Sequence, residues 1–582
     1  MVKRVLLIPL TATAVYLLHS LFFATWIVDD AGISFVYARN LAAGHGLVSQ
    51  PGLPPIEGYS NPLWVLLLVP AFLLRLFDPT VTPKILSLVL IAASFFLLDA
   101  SLRRLLQRPG GHRAVSWVTL LLLAVNTPFV VWTCSGLENP LYVFLFCLLL
   151  WICVREREDS QKGWVPSSGF AVAAGLTAAG IALTRPEGIV FTVLYPLLSL
   201  TAARFWAFRR LLPYALAFGL PFAAHFAFRV LYFGDVVPNT YYAKGEMSLR
   251  DLLDVLTLQP ARALKLLDLM RSLAGPAGAI VLILLGLATA YLIGKKRFRW
   301  EHGALLAFAA LPAFVFLLLP DDWMAEYRMA TPFFPFVYAY TALFVVTLGE
   351  AWLPTPERRR FPALLGGVAA VGLSLLLFTG RSIEFAFAPT IPFDDVVYYF
   401  GDRYNRYAEE LGAQDASILL PDLGGILYVS NLRVYDLAGL CDRTIAKTRG
   451  RDQQAFYDYV FGEAKPTFLR TYFGWSILSQ LERDPRFQRD YVPLFAFIEP
   501  EVRAKTGRNF ASGEFVRREV AEKRPEVIRA IRKELEEDYR RELAIRLNRH
   551  REPGPGIKPG GAGPIPPPEI ARKILAGERP LP

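Results

Sequence analysis

Residues 5–30 read VLLIPLTATAVYLLHSLFFATWIVDD, a continuous apolar run that follows Lys3-Arg4 and stops at two aspartates. A helix rises 1.5 Å per residue, so about 20 residues cross a hydrocarbon core of ~30 Å. The run from Val5 to Val28 meets that length, and no small-residue cleavage site precedes Asp29. It therefore reads as a retained signal anchor with its N-terminus in the cytoplasm. Runs of this kind recur through the first 380 residues of the 582-residue chain, which is 54% hydrophobic and only 19% charged, too apolar for a soluble protein of this size. The composition predicts a polytopic membrane protein. The net charge of +11 then reads as topology, because cytoplasmic loops collect Lys and Arg. Nucleic-acid binding would need a basic patch interleaved with aromatics, and none is present.

Working outward from the first run, one place decides the count of spans. If 62–77 crossed the membrane and 81–102 crossed back, Arg103, Arg104, Arg108 and Arg113 would lie outside, against the positive-inside rule. The 62–77 run is short, carries Arg75 and is bracketed by Asn61-Pro62 and Asp78-Pro79. It is expected to be a juxtamembrane or re-entrant helix on the outer side. Crossings are then expected near 5–28, 81–102, 114–132, 139–154, 168–184, 188–203, 211–232, 277–294, 303–319, 333–350 and 362–379, about eleven in all. The basic connections at 103–113, 155–162, 204–210, 295–299 and 358–360 all fall inside, and everything beyond about 380 falls outside.

The outer connections are of another kind: Asp29-Asp30, Ser135-Gly136-Leu137-Glu138-Asn139, Arg185-Pro186-Glu187-Gly188, Pro238-Asn239-Thr240 and Asp321-Asp322-Trp323-Met324. On one side of a membrane they can converge on one site. After Asp30, Ile33, Val36, Tyr37 and Leu41 have the spacing of one helix face and predict a helix lying in the interface. Gly44-His45-Gly46 and Pro51-Gly52 end it. The segment 233–276 has amphipathic spacing without a span. From 380 the composition becomes soluble: Ser417–Leu420, Gly425–Val429 and Arg433–Leu437 read as short strands and Ala521–Arg549 as a charged helix. The domains expected are a transmembrane module over 1–379, an α/β domain over 380–551, and a Pro/Gly-rich tail over 552–582 that reads as disordered.

A carboxylate at the membrane surface is costly to desolvate unless it works or is paired, so Asp29 and Asp30 are candidate catalytic groups; a solvated pair at a helix start is the bland alternative. In a partly dry site such a carboxyl has its pKa raised toward the range of a general base for a sugar hydroxyl. Arg185 and Glu187 either pair with each other or serve a cavity, and Lys244, Arg328 and Arg185 together offer cations to a phosphate. Asp321-Asp322-Trp323 could position a sugar, anchor the interface through Trp323, or bind Mg²⁺, Mn²⁺ or Ca²⁺, although no third ligand is evident and no cofactor is firmly predicted. Asn239, Tyr241 and Tyr242 suit either sugar contact or a loop turn with belt aromatics. His45 and His225 read as packing residues. Cys134, Cys147, Cys153 and Cys441 show no disulfide or zinc spacing.

The run Asp29-Asp30-Ala31-Gly32-Ile33-Ser34-Phe35-Val36-Tyr37-Ala38-Arg39-Asn40-Leu41, then Gly44-His45-Gly46-Leu47 and Glu57-Gly58-Tyr59-Ser60-Asn61-Pro62-Leu63-Trp64, resembles the first outer loop of GT-C glycosyltransferases. Within them it is most similar to the mycobacterial terminal arabinofuranosyltransferase family. The likeness continues through Ser135–Glu138, Arg185–Gly188, Pro238–Lys244, Asp322–Met324 with Arg328, and Asp436–Leu440. Two departures bear on the donor sugar: Val36 stands where relatives usually carry Arg, and Pro320-Asp321 replaces Gly-Gly. The resemblance implies a GT-C-like polytopic α-helical membrane protein, with periplasmic juxtamembrane helices and a C-terminal soluble α/β domain, in the bacterial inner membrane with its site and C-terminal domain outside. It also implies a polyprenyl-phosphate sugar donor, possible arabinofuranose transfer to a cell-envelope glycan or glycolipid, and a catalytic first-loop aspartate. Lys244, Arg328 and Arg185 would meet the donor phosphate, and Glu187, Tyr37, Asn40, Glu57, Tyr59, Glu138, Asn239, Tyr242, Asp322 and Trp323 the substrates. A lipid-linked sugar flippase, or a polymerase or ligase of lipid-linked glycans, are the rival readings; a flippase would expose functional groups on both faces.

Overall fold

The computed structural model describes residues 2–106, 111–162, 167–203, 207–245, 248–352, 356–497, 507, 510–548, 573 and 576. The Pro/Gly-rich tail expected over 552–582 lies almost wholly outside them. Among the described residues, six helices are long and apolar enough to cross a membrane: Thr82–Leu105, Asn139–Gln161, Arg209–Phe233, Pro260–Gly294, Trp300–Leu318 and Ala369–Phe387. The protein is therefore a membrane protein. A seventh span is formed if Arg113–Val125 and Thr127–Thr133, bent by 67° at Asn126, count as one. Asn126 repairs the break, since its side chain accepts from Phe129 N–H (2.8 Å) and donates to the Ser272 carbonyl and the Tyr338 hydroxyl. The shorter apolar helices Leu6–Phe22, Ser168–Thr184, Pro186–Thr201 and Phe333–Thr347 fall on the other expected crossings. Pro62–Leu73 has 12 residues, ~18 Å of helix, too short to span. Leu66, Leu67 and Leu73 on it are exposed.

The basic connections meet at one end of the bundle. Arg104 Nε pairs with Glu158 at 3.2 Å, Arg210 pairs with Glu156, and the Arg157 guanidinium lies over the Trp300 ring. The polar connections meet at the other end, under the C-terminal domain.

That domain holds a five-stranded sheet of order β2-β1-β3-β5-β4, with β1 Ser417–Leu420, β2 Arg433–Asp436, β3 Phe468–Thr471, β4 Tyr491–Phe497 and β5 Ser512–Arg517. β1 is parallel to both β2 and β3, and β5 is antiparallel to β3 and β4. Parallel neighbours need a crossover, so the link from β1 to β2 is helical. Gly424–Val429 is that crossover helix, not the strand its short apolar run suggests. The charged helix Pro525–Asn548 covers β4 and buries Ile528, Ile531, Leu535 and Tyr539 at helical spacing.

The first-loop helix, Ala31–Ala42, differs from expectation in its surroundings. The spacing of Ile33, Val36, Tyr37 and Leu41 predicted one buried face, whereas Ala31 through Ala38 and Asn40 are all buried. The helix is wedged between the short helix Pro62–Leu73 and the crossover helix, so protein covers more than its apolar face. Contact there is so close that a Cβ on Gly32 would sit 2.6 Å from the Gly424 carbonyl carbon.

Candidate active site

Seven segments far apart in sequence meet in one pocket that opens to solvent. It is lined by Asp30, Ser34, Gly58–Asn61, Leu137-Glu138, Arg185, Thr240, Lys244, Arg328 and Leu440. Asp30 occupies the N-cap position of the first-loop helix, yet its carboxylate makes no capping bond and is left to the pocket. Its neighbour does the reverse. Asp29 accepts the N–H of Gly425 at 2.7 Å and of Gly424 at 3.0 Å, is buried, and does not line the pocket. Of the two candidate catalytic aspartates, the structure brings only Asp30 to the site.

The three expected cations all reach the pocket but differ in how they are neutralised. Arg185 Nη1 donates to Glu138 at 2.5 Å, and its Nε donates to Glu187. Glu138 is completed by Asn61 Nδ2 (2.7 Å), whose Oδ1 accepts from Ser34. Burial opposes the Glu138 charge, but Arg185, Arg328 and the hydrogen bonds the carboxylate accepts together outweigh it and hold the carboxyl below its usual value. Arg328 Nε donates to Asp322 at 2.8 Å, and Nη1 lies 3.9 Å from Asp30. It is aimed by two successive left-handed residues, Glu326 (φ 64°) and Tyr327 (φ 55°), a strained approach of the sort found at functional sites. Lys244, accessible through the pocket, has no ion pair among the described residues. Loss of hydration, then Arg328, lowers its pKa. Burial raises the Asp30 carboxyl, and Lys244 and Arg328 pull it only part of the way back.

Several residues expected to bind substrate instead hold the scaffold. Tyr37 donates to the Ile56 carbonyl (2.6 Å), Asn40 to the Val48 carbonyl (2.8 Å), and Glu57 is clamped by Arg229 (2.5 and 3.1 Å). Asn239 donates to the carbonyls of Gly439 and Leu440, which seats the short helix carrying Lys244 on the C-terminal domain. The Tyr242 hydroxyl meets Asp235, and Trp323 is exposed outside the pocket. The proposed carboxylate pair splits: Asp321 faces solvent against Lys265 (2.8 Å), while Asp322 turns inward to Arg328. Among the described residues no group of three His, Cys, Asp or Glu side chains is placed to hold a metal ion.

Ser34, Ser60, Asn61, Thr240 and Leu440 line the pocket without having been singled out, although each lies inside a motif quoted above. Asp422, on the turn after β1, gave no sequence signal. It is buried, accepts from the Tyr472 hydroxyl (2.8 Å) and feels the charge of Asp30; burial first pushes its carboxyl up to about 6.

The buried Glu57–Arg229 pair gives a stability test. Glu57→Ala leaves a largely buried guanidinium unpaired, which should cost about 3 kcal/mol and lower the unfolding midpoint in detergent. An unchanged midpoint would show that the pair does not hold the loop.

Structures of ArnT from Cupriavidus metallidurans superpose on the chain: the apo state with TM-score 0.51 at 13% identity, and the form bound to undecaprenyl phosphate with 0.50 at 12%. Each match covers 80% of this chain and 92% of that one. The chain shares the fold of ArnT. The terminal beta-(1->2)-arabinofuranosyltransferase of Mycobacterium tuberculosis (strain ATCC 25618 / H37Rv) is 32% identical over 254 residues, 42% of this chain. The match spans 39% of that relative's length. Residues 399–541 match a family described as Domain of unknown function (DUF8728). This domain is the sheet unit that carries Asp422 and Leu440, so the pocket is built from both parts of the chain.

Proposed function

We propose that the protein is a membrane glycosyltransferase that moves a sugar from a polyprenyl-phosphate donor to a hydroxyl of a cell-envelope glycan or glycolipid. The observation that carries this reading is one uncapped carboxylate, Asp30, in a pocket with Lys244, Arg328 and Arg185. In the proposed step Asp30 takes the acceptor proton, the acceptor oxygen bonds to the anomeric carbon, and the bond from that carbon to the phosphate oxygen breaks. The charge that appears on the departing polyprenyl phosphate is met first by Lys244, the cation without a carboxylate partner. With Asp29 committed to backbone amides, one carboxylate serves the chemistry, which suits a direct displacement with inversion. The mycobacterial relative and the undecaprenyl-phosphate-bound ArnT support a lipid-linked donor and make arabinofuranose the first sugar to test.

The purified protein, given radiolabelled polyprenyl-phosphate arabinofuranose and a synthetic arabinoside, should elongate the arabinoside. Release of label to water alone, or no turnover with this or other polyprenyl-phosphate sugars, overturns the reading.

The proposed setting is a bacterial cytoplasmic membrane, with the N-terminus inside and both the pocket and the C-terminal domain outside. Support comes from the gathering of basic connections at the end opposite the pocket. Cysteines replacing Lys162 and Glu463, both exposed, should react with an impermeant maleimide from opposite sides. Labelling from the same side would remove this orientation.

A further inference from the structure

The crossover helix Gly424–Val429 is held at both ends by the first-loop helix. At its start the Asp29 carboxylate accepts the N–H groups of Gly424 and Gly425. At its end Arg39 donates to the Tyr428 carbonyl at 2.6 Å and the Leu427 carbonyl at 3.3 Å, with its guanidinium 4.9 Å above the Tyr428 ring. An acid on the N-terminus and a cation on the C-terminus both oppose the helix dipole and fill its open backbone groups. The two helices run side by side in the same direction, because residues early in one meet the start of the other and residues late meet its end. No side chain fits between them: a Cβ on Gly424 would lie 1.7 Å from the Asp29 carbonyl oxygen. The backbone is tied as well. Asp29 N–H donates to Ile391 (2.9 Å), Phe393 N–H donates to Ile27 (2.8 Å), and Trp26 Nε1 donates to Thr390 (2.8 Å). Asp30 is the next residue along.

We propose that Asp29 and Arg39 are positioning residues that dock the crossover helix of the C-terminal domain along the first-loop helix, so that this domain fixes the Asp30 carboxylate in the pocket and is a working part of the site. The inference rests on the reading of Asp30 as the base. Its consequence is that loosening a contact which touches no substrate slows the chemical step. A reacting group displaced by about 1 Å costs on the order of 10²-fold in rate. The same docking carries Asp422 to the neighbourhood of Asp29 and Asp30.

The test compares Asp29→Asn, Arg39→Ala, Arg39→Lys and Asp30→Asn in the full chain in detergent, with Arg486→Ala on a surface ion pair as control. Amide exchange is followed across 424–430 and 30–34, alongside kcat and donor KM with polyprenyl-phosphate arabinofuranose and the arabinoside. Asn at 29 can accept one amide but turns its own NH₂ toward the other. Asp29→Asn and Arg39→Ala should speed exchange in both segments at least tenfold and lower kcat by about 10- to 100-fold, with donor KM changed less than about threefold. Arg39→Lys, which keeps a donor for the carbonyls, should recover part of both. Asp30→Asn should lower kcat by about 10²–10⁴-fold and leave exchange at 424–430 as in the wild type.

Faster exchange with kcat unchanged would make the docking structural only and overturn the proposal. Loss of kcat in Asp29→Asn with exchange unchanged would also overturn it, by making Asp29 itself the reacting group. If Asp30→Asn keeps its rate, the functional reading fails, and the exchange data still decide whether the two helices are docked through these residues.

Discussion

Asp30→Asn is expected to lower the transfer rate by about 10²–10⁴-fold while leaving donor affinity within a few-fold of the wild type. That is the range set by loss of a general base, and the loss belongs in kcat because the base acts on the acceptor proton in the transition state. The geometry makes the prediction specific to position 30. Asp30 caps nothing and faces Lys244 and Arg328 across the pocket, whereas Asp29 is spent on two backbone amides. The pH profile carries the same signature. Burial raises the Asp30 carboxyl above its ordinary value, and the base works only when deprotonated. Activity should therefore fall with acid, and should begin to do so at a higher pH than an exposed carboxylate would give. The Asn variant, having no proton to gain there, should lose that limb from whatever activity remains. A wild-type rate in Asp30→Asn, or an unchanged acid limb, would exclude this carboxylate as the base.

How much of this was legible depends on whether the deciding interaction is local. The runs at 82–105, 139–161 and 300–318 are long and uniformly apolar, so length alone fixes them as spans. The helix at 62–73 was also readable as one that does not span, because the charges at 103 and 104 allowed no other alternation, and those residues do face Asp99 and Glu158 at the end away from the pocket. Gly424–Val429 was misread for a physical reason. A six-residue apolar segment opening with two glycines fits strand or helix equally, and what decides it is a carboxylate 395 residues away in sequence. The first-loop helix shows the same limit. Its apolar face was visible, but Ser34 and Asn40 are buried only because Asn61 and the Val48 carbonyl meet them. Asp29 and Asp30 are the same residue type in adjacent positions, so no sequence rule could assign one to a helix dipole and the other to a pocket. Asp422 carried no signal, because its setting is made entirely by the turn after β1 and the first outer loop folding together.

Lys244→Ala should weaken binding of a polyprenyl-phosphate donor by roughly 10- to 100-fold, the range for one hydrogen bond to a charged group. It is the decisive cation because the other two are already balanced: Arg185 by Glu138 and Glu187, Arg328 by Asp322 and Asp30. A phosphate entering the pocket need displace no carboxylate to reach Lys244, which is exposed to solvent through the pocket. Bound phosphate should raise the pKa of this ammonium, which is lowered in the free protein, and binding should take up protons, measurable as a buffer-dependent heat of binding. Arg328 behaves differently. Arg328→Ala leaves Asp322 and Asp30 facing each other without their shared cation, so it should lower stability as well as donor affinity. Arg328→Lys should recover stability more fully than affinity, since a single ammonium can pair with Asp322 but cannot also span to Asp30 and the phosphate. Donor titrations and unfolding midpoints on the three variants separate the roles. Equal affinity in Lys244→Ala and wild type would take Lys244 out of the donor site, and with it the proposal that this pocket receives the phosphate.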